Sequence, residues 1–423
     1  MDKCFKSIHQ VYFITMLFFI ATAVVLDPSP QLLAGQLAIL RAPDILVTDY
    51  IYVGGLAAAL LNAGVTSLLS LGMLLLFKHD AKSATISNLW LITGFAFFGK
   101  NFINVLPIFF GGWLYSKYMR QDFNISILTM LAAASLSPAV TQKLFIGPEG
   151  ELLNFVFAIG IGILIGFIFD PIAKNLIKAH DGYNLFNGGF TAGMLAITIT
   201  AIFSSYGIAY EMNDQWSSGN GLILSAFVVI ISIWLIFIGM YMHSGDIGGA
   251  FARIFTLRKF QNDYYTQCGC GCYINMGVLG IFCVIIANIL SIEMAGPVLG
   301  GILVVMGFGA NGKQLYSVTS LMAGVFFATL ISPLSIHDPG VSIAFFFVAC
   351  LSPIPAKFGW HWGFLAGIIH IHLATSLAFP SGGINLYNNG VAAGFVVVIL
   401  LPLIRAIEQR KENILAANAA SGK

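Results

Sequence analysis

Gly94-Phe-Ala-Phe-Phe-Gly-Lys100 and Gly307-Phe-Gly-Ala-Asn-Gly-Lys313 are one motif written twice, at an offset of 213 (307 − 94). Asn62-Ala-Gly64 and Asn275-Met-Gly277 share that offset, and Val105/Val318 and Gly111/Gly324 continue it. Leu136-Ser-Pro138 then matches Leu351-Ser-Pro353 at 215 (351 − 136). Gly182-Tyr-Asn-Leu-Phe-Asn-Gly-Gly-Phe-Thr-Ala-Gly193 matches Gly383-Ile-Asn-Leu-Tyr-Asn-Asn-Gly-Val-Ala-Ala-Gly394 at 201 (383 − 182), with seven of twelve positions identical. The fall from 215 to 201 fits one loop deletion, because Thr141 to Leu153 has little counterpart in the second copy. Four windows in one order at nearly constant spacing mark an internal duplication. The units are residues 50–206 and 263–404, flanked by an N-terminal helix and loop (1–49), a linker helix and loop (207–262) and a tail (405–423).

The duplicated unit is a membrane unit. Of 423 residues, 58% are hydrophobic and 9% charged, and the mean hydropathy is +0.88. Soluble domains carry about 25% charged residues, so this chain cannot cover a water-facing surface. A spanning helix needs about 20 apolar residues. Fourteen apolar segments follow: 11–26, 53–77, 86–98, 102–116, 125–140, 152–169, 188–206, 221–242, 273–292, 297–309, 315–331, 341–354, 360–379 and 387–404. The first, behind Lys3 and Lys6, has some look of a cleaved secretory signal and is read as a retained helix. With the N-terminus in the cytoplasm, sixteen of the twenty Lys and Arg fall inside. Only Arg41 and Lys143 fall outside, and Lys100 and Lys313 sit at breaks. Positive charge sets orientation, so both termini are expected in the cytoplasm of a bacterial inner membrane.

Seven segments separate the start of one copy from the start of the next. The number is odd, so the copies enter from opposite faces. The fold class expected is therefore an all-α polytopic membrane protein of two inverted-topology repeats, with equivalent sites meeting near mid-membrane. Segments 86–98 and 102–116 are short and joined by Gly99-Lys100-Asn101; 297–309 and 315–331 repeat the layout around Ala310 to Gln314. Short–break–short is the pattern of broken or re-entrant helices, whose irregular backbone is tolerated at depth only inside protein or along a watery cavity.

These breaks carry the candidate solute-binding residues Lys100, Asn101, Asn311 and Lys313. An intramembrane lysine is costly and marks function by default, while helix N-termini beside it favour an anion; the competing reading is a pair of loop lysines snorkelling to the interfaces. Asn184, Asn187, Asn385 and Asn388 form the second candidate set, since amides both donate and accept and would suit a polar solute or a coupling ion; capping turns are the competing reading. Asn62 and Asn275 are read as packing hydrogen bonds. Cys268-Gly-Cys270-Gly-Cys272 has the spacing of a soft-metal or thiol pair, yet no second ligand cluster is near, so no metal or cofactor is expected. His337, His361, His370 and His372 read as polar residues at helix ends, and no carboxylate falls deep inside a predicted span, Asp170 lying at a segment end.

The paired Gly-Phe…Gly-Lys and Asn-Leu-(Phe/Tyr)-Asn motifs resemble an uncharacterised bacterial family of multi-pass membrane proteins with two internal copies of one domain. That resemblance spans most of the chain and implies no activity. Leu61-Asn62-Ala63-Gly64 with Gly94–Gly99 is also similar to bacterial urea channels, whose NP and LPxxTxPF signatures are absent. The opposed breaks are analogous in architecture to elevator-type transporters. The expectation is a secondary transporter for a small polar solute, anionic if the lysines bind it, with lipid and a coupling ion as partners, no nucleic acid, and room for a homo-oligomer. A passive channel for urea or ammonia is the alternative within transport, and an integral-membrane enzyme the alternative outside it. The enzyme lacks paired aspartates, a Ser/His/Asp set and a zinc set, and no Gly-x4-Gly-Lys-Ser/Thr loop supports ATP-driven pumping. Reporter fusions after Gly245 and Lys423 should both read cytoplasmic; an external signal at either position overturns the topology.

Overall fold

The protein's computed structural model describes residues 2–44, 47–146, 151–207, 215–242, 248–249 and 269–420. Most of the polar loop 243–272, with Cys268, lies outside them. All fourteen apolar segments are helical. The helices are α1 (Asp2–Leu26), α2 (Gln31–Leu40), α3 (Tyr50–Leu76), α4 (Ser83–Phe95), α5 (Leu106–Tyr118), α6 (Ile127–Ala133), α7 (Pro138–Ile146), α8 (Glu151–His180), α9 (Asn187–Ser205) and α10 (Gly221–Met242). The second copy follows as α11 (Gly271–Ile289), α12 (Gly296–Phe308), α13 (Leu315–Ile331), α14 (Pro339–Phe347), α15 (Pro353–Phe358), α16 (Trp360–Ser376) and α17 (Asn388–Ala420). Seven of them are long and apolar enough to cross a membrane: α1, α3, α8, α9, α10, α11 and α17. The other apolar segments form shorter helices, some of them interrupted. Segments 125–140 and 341–354, expected as single helices, each break at a 3-10 turn leading into the repeated Leu-Ser-Pro. Proline cannot donate to the preceding turn, so α7 and α15 restart at Pro138 and Pro353.

The duplication is exact in its contacts. α5 packs on α8 as α13 packs on α16, and α3 meets α4 as α11 meets α12. Asn62 Nδ2 donates to the carbonyls of Ala96 (2.7 Å) and Lys100 (2.8 Å); Asn275 Nδ2 donates to Gly309 (2.8 Å) and Lys313 (2.7 Å). The bland reading of these asparagines is the right one, with a purpose: they hold carbonyls freed by the breaks. Equivalence also extends beyond the predicted unit. The Cβ position of Gly64 abuts Ile20 of α1, and that of Gly277 abuts Ser232 and Ile236 of α10. Thus α1, read as an addition, and α10, read as a linker, do the same job, each covering the first helix of a copy. Tyr12, Met16 and Phe19 of α1 are buried.

The two copies join through equivalent helices. α4 and α12 run antiparallel, since Gly94 abuts Gly300 while Trp90 abuts Gly307. α9 and α17 meet at Gly189 and Gly390, equivalent residues whose added Cβ atoms would lie 2.9 and 2.5 Å from each other's Cα. A pseudo-two-fold axis therefore passes between them. Antiparallel packing of equivalent membrane helices is the mark of inverted topology, because an axis along the membrane normal would leave them parallel. The strands of loop that charge placed outside also gather: Asp49 accepts from the Ser217 amide (3.0 Å), Thr48 bridges Gln215, and Glu293 accepts from Gly219 (2.9 Å). Residues placed inside gather likewise, with Arg405 paired to Asp181 (2.9 Å) and Lys357 donating to the Tyr183 hydroxyl (2.7 Å).

Two expectations need correction. Asp170 is not at a helix end: α8 runs on to His180, and Asp170 is buried, accepting from Ser126 (2.9 Å) and pairing with Lys174 (2.6 Å). The apolar run stopped at Phe169, but the helix continues because its polar residues face partners. His370 is likewise inside α16, buried, with Nε2 3.1 Å from Asn389 Oδ1. Leaving a buried carbonyl without a donor costs about 1–3 kcal/mol, and each capping asparagine serves two. Asn62→Ala and Asn275→Ala should each therefore destabilise the protein by roughly 2–5 kcal/mol, read as a lowered unfolding midpoint in detergent. Midpoints equal to wild type would mean the breaks are held by something else.

Candidate functional site

Each lysine motif is a helix stop. Gly99 (φ 110°) and Gly312 (φ 96°) adopt positive φ, as glycine readily does at a helix C-terminus. The amide of the next residue then turns back: Lys100 N–H donates to Phe95 O and Lys313 N–H to Phe308 O, both at 3.2 Å. This folds each side chain over a ring of the turn it ended. Lys100 Nζ lies 4.8 Å from the Phe95 ring centre and Lys313 Nζ 4.8 Å from that of Phe308. Both lysines are 0% exposed, so neither snorkels out of the protein. The arms α4/α5 and α12/α13 do not pack along one another, as those of a closed hairpin would; α4 lies on α12 and α5 on α8.

Beyond the backbone the lysines differ. Lys100 Nζ donates to Leu131 O at 3.3 Å. Among the described residues Lys313 Nζ has no hydrogen-bond partner. It sits between two rings, 4.5 Å from the centre of Phe186 as well as beside Phe308. Its electrostatic neighbours are the thiols of Cys283 and Cys350, which are weak acceptors. Burying an ammonium without a counter-charge costs several kcal/mol, and each desolvated ring returns on the order of 2 kcal/mol.

The rings form a ladder across the pseudo-two-fold. Phe95 meets Tyr387 (4.7 Å between centres) and Phe308 meets Phe186 (4.8 Å), equivalent pairs that each join one copy to the other. Phe186 and Tyr387, themselves equivalent, touch at 4.7 Å. Backbone bonds are exchanged the same way, Leu185 N–H to Cys350 O (3.0 Å) and Leu386 N–H to Ser135 O (3.1 Å).

Against one side of this ladder lies a cavity of about 430 Å³. Its floor is Phe186, Phe308 and Tyr387; its polar groups are Ser87 and Asn88 of α4, Thr129 of α6, Lys174 of α8, Asn187 and Asn311. Lys174, which carries the cavity's one lining charge, is paired with Asp170. Lys174 and Lys178 are among the residues that charge placed inside, so the cavity borders the face expected to be cytoplasmic. The space related by pseudo-symmetry is filled. Ala132 and Asn311 correspond to Phe347 and Phe98, both buried; Phe347 stacks on Phe95 at 5.6 Å and Phe98 meets it edge-on at 5.1 Å. Ser87 and Asn88 correspond to Gly300 and Gly301, in a helix buried along its whole length.

Of the eight sequence candidates, the cavity takes Asn187 and Asn311 directly and has Lys313 one ring behind its floor. Asn187 is itself held by the fold, its Oδ1 2.9 Å from His180 Nε2 and its Nδ2 donating to Ala173 O at 3.2 Å, and the others are structural in their visible contacts. Asn101 Oδ1 accepts from Ile103 and Asn104 amides (3.0 and 2.9 Å). Asn184 and Asn385 each accept, at 2.9 Å, from the amide two residues on, and Asn184 Nδ2 donates to Gly390 O (2.9 Å). Asn388 Oδ1 receives Asn385 Nδ2 at 3.2 Å. Asn88 and Thr129 were missed because neither recurs in the second copy, where Gly301 and Ala344 stand. The aromatic floor was present in the motifs but passed over for the amides beside it. Among the described residues no group of three His, Cys, Asp or Glu is placed to hold a metal. Cys270 is disulfide-bonded, and Cys283 and Cys350 are free thiols.

No curated protein and no solved structure matches the chain. One family does, in two stretches, residues 29–205 and 246–406, which are the two copies in outline. Its description is "Protein of unknown function (DUF1576)", and the chain, matched over most of its length, belongs to that family.

Proposed function

We propose that the protein is a secondary transporter that carries a small polar solute across the membrane through a site between its two repeats. The observation that carries this reading is a one-sided cavity in a two-sided framework. Backbone, capping amides and ring contacts obey the pseudo-two-fold, whereas the cavity exists on one face and its counterpart is packed shut by Phe98 and Phe347. Inverted repeats give such a molecule a second conformation of similar energy, in which the copies exchange roles and the opposite face opens. The cavity's amides and hydroxyls suit solute recognition, and its volume is in the range of small-molecule sites. The same groups include no nucleophile–base pair, so binding rather than catalysis is proposed. A fixed pore for a neutral solute fits less well, because the ring ladder bars a continuous path.

Single cysteines in a cysteine-free background test it. Thr129→Cys lies in the cavity, and Ala344→Cys at the equivalent buried position of the other copy. A membrane-impermeant thiol reagent should label Thr129→Cys from the cytoplasmic face only and Ala344→Cys from the outer face only. Labelling of both from either face would indicate a static pore. No labelling of Ala344→Cys under any condition would remove alternating access.

A further inference from the structure

We infer that the solute taken up by this cavity carries a small anionic group, such as a carboxylate, and that the ammonium of Lys313, not that of Lys100, receives it. The inference rests on the transport reading and names the chemistry of its site. Three observations converge on it. Lys313 is fully buried and its Nζ has no hydrogen-bond partner among the described residues, whereas Lys100 Nζ already has the Leu131 carbonyl. The two rings that enclose Lys313, Phe186 and Phe308, are also walls of the cavity, so turning one ring brings the ammonium to the solute. Phe95, the ring over Lys100, is instead sealed beneath Phe98 and Phe347.

The rest of the cavity agrees with an anion. No Asp or Glu lines it. Tyr387, on the same floor, has a buried hydroxyl with no partner among the described residues, and its ring meets Phe186, the ring against which Lys313 Nζ also lies. One unpartnered donor thus belongs to a residue of the floor and the other lies one ring behind it, with Asn311, two residues from Lys313, in the lining. An ammonium and a hydroxyl that both lack acceptors are matched by a ligand that only accepts, and an ionised carboxylate is acceptor-only. A solute cation would meet Lys313 with no carboxylate to offset it.

The test uses the purified full chain in neutral detergent, free of anionic lipid, and reads thermal unfolding. Formate, acetate, nitrate and inorganic phosphate are compared with the neutral amides formamide and acetamide at matched ionic strength. At least one of the anions should raise the unfolding temperature in a saturable way. That shift should need about tenfold more anion or vanish in Lys313→Met, and persist in Lys100→Met. A shift that survives Lys313→Met, or no shift from any anion, overturns the inference. A shift from the amides alone also overturns it, while leaving the transport reading standing. Failure of the cysteine-labelling pattern, by contrast, would strike that reading and not the anion site. If Lys313→Met does not fold, Phe186→Ala serves instead. Removing the ring between ammonium and cavity should tighten anion binding several-fold, and unchanged binding would overturn the proposal.

Discussion

A carbonyl freed by a helix break in apolar surroundings has no water to turn to, and the architecture is arranged around satisfying that demand twice. Asn62 and Asn275 each reach from the first helix of a copy into the break of the next and hold two carbonyls there. With those carbonyls bound, Gly99 and Gly312 can end their helices with positive φ, and the lysine amides can close back onto Phe95 and Phe308. The lysine side chains then have nowhere to go but over the rings of their own turn. The order of causes runs from a backbone requirement, through an amide and a glycine, to a buried charge. Remove the amide and the position of the charge is no longer determined.

That chain of causes explains why the duplicated motif is so well preserved between copies, and it also bounds what the motif says about function. A motif that stops a helix needs its Gly and its capping Asn; it does not need a lysine, since any residue can donate its amide to the carbonyl four or five back. The ammonium is the part the fold leaves unexplained. In the first copy it has found a carbonyl and is shut in by Phe98 and Phe347. In the second it has found rings and weakly accepting thiols. The shared backbone therefore delivers one charge to two environments, and the difference between them comes from residues outside the motif.

Class, duplication and inversion were legible in the sequence because they depend on composition, spacing and parity, which survive without knowledge of contacts. The breaks at Lys100 and Lys313 were legible because short apolar runs around Gly-Lys are visible as lengths. The second pair of breaks was not, since 3-10 turns at Ala134–Leu136 and Val348–Leu351 are as apolar as the helices they interrupt. The role of α10 was also hidden: it matches α1 in what it covers, not in any residue pattern strong enough to align. The cavity was the least legible feature. Its lining departs from the repeat at Asn88, Thr129, Ala132 and Asn311, and a search for repeated residues passes over positions where the copies differ.

Those departures decide how the two faces compare energetically. Were the copies identical in sequence, the two conformations related by the axis would be isoenergetic, and each would be half populated. Here Asn311 and Ala132 leave room on one side, while Phe98 and Phe347 bury some of the largest apolar side chains on the other. Opening the opposite face requires those rings to part, at a cost of apolar burial that the mirror-image movement regains only in part, because alanine and asparagine supply less apolar surface to cover. In the alternating-access reading proposed above, the conformation described here is the favoured one of the pair, a bias written into side chains rather than imposed by the fold. A solute that binds the cavity deepens that preference unless it also helps the rings to turn. Phe186 and Phe308 belong at once to the cavity floor, the enclosure of Lys313 and the contact between copies. If the cavity takes a solute as proposed, a ligand that moves either ring acts on all three together, and the ring ladder is then the element that couples occupancy to the packing of one repeat against the other.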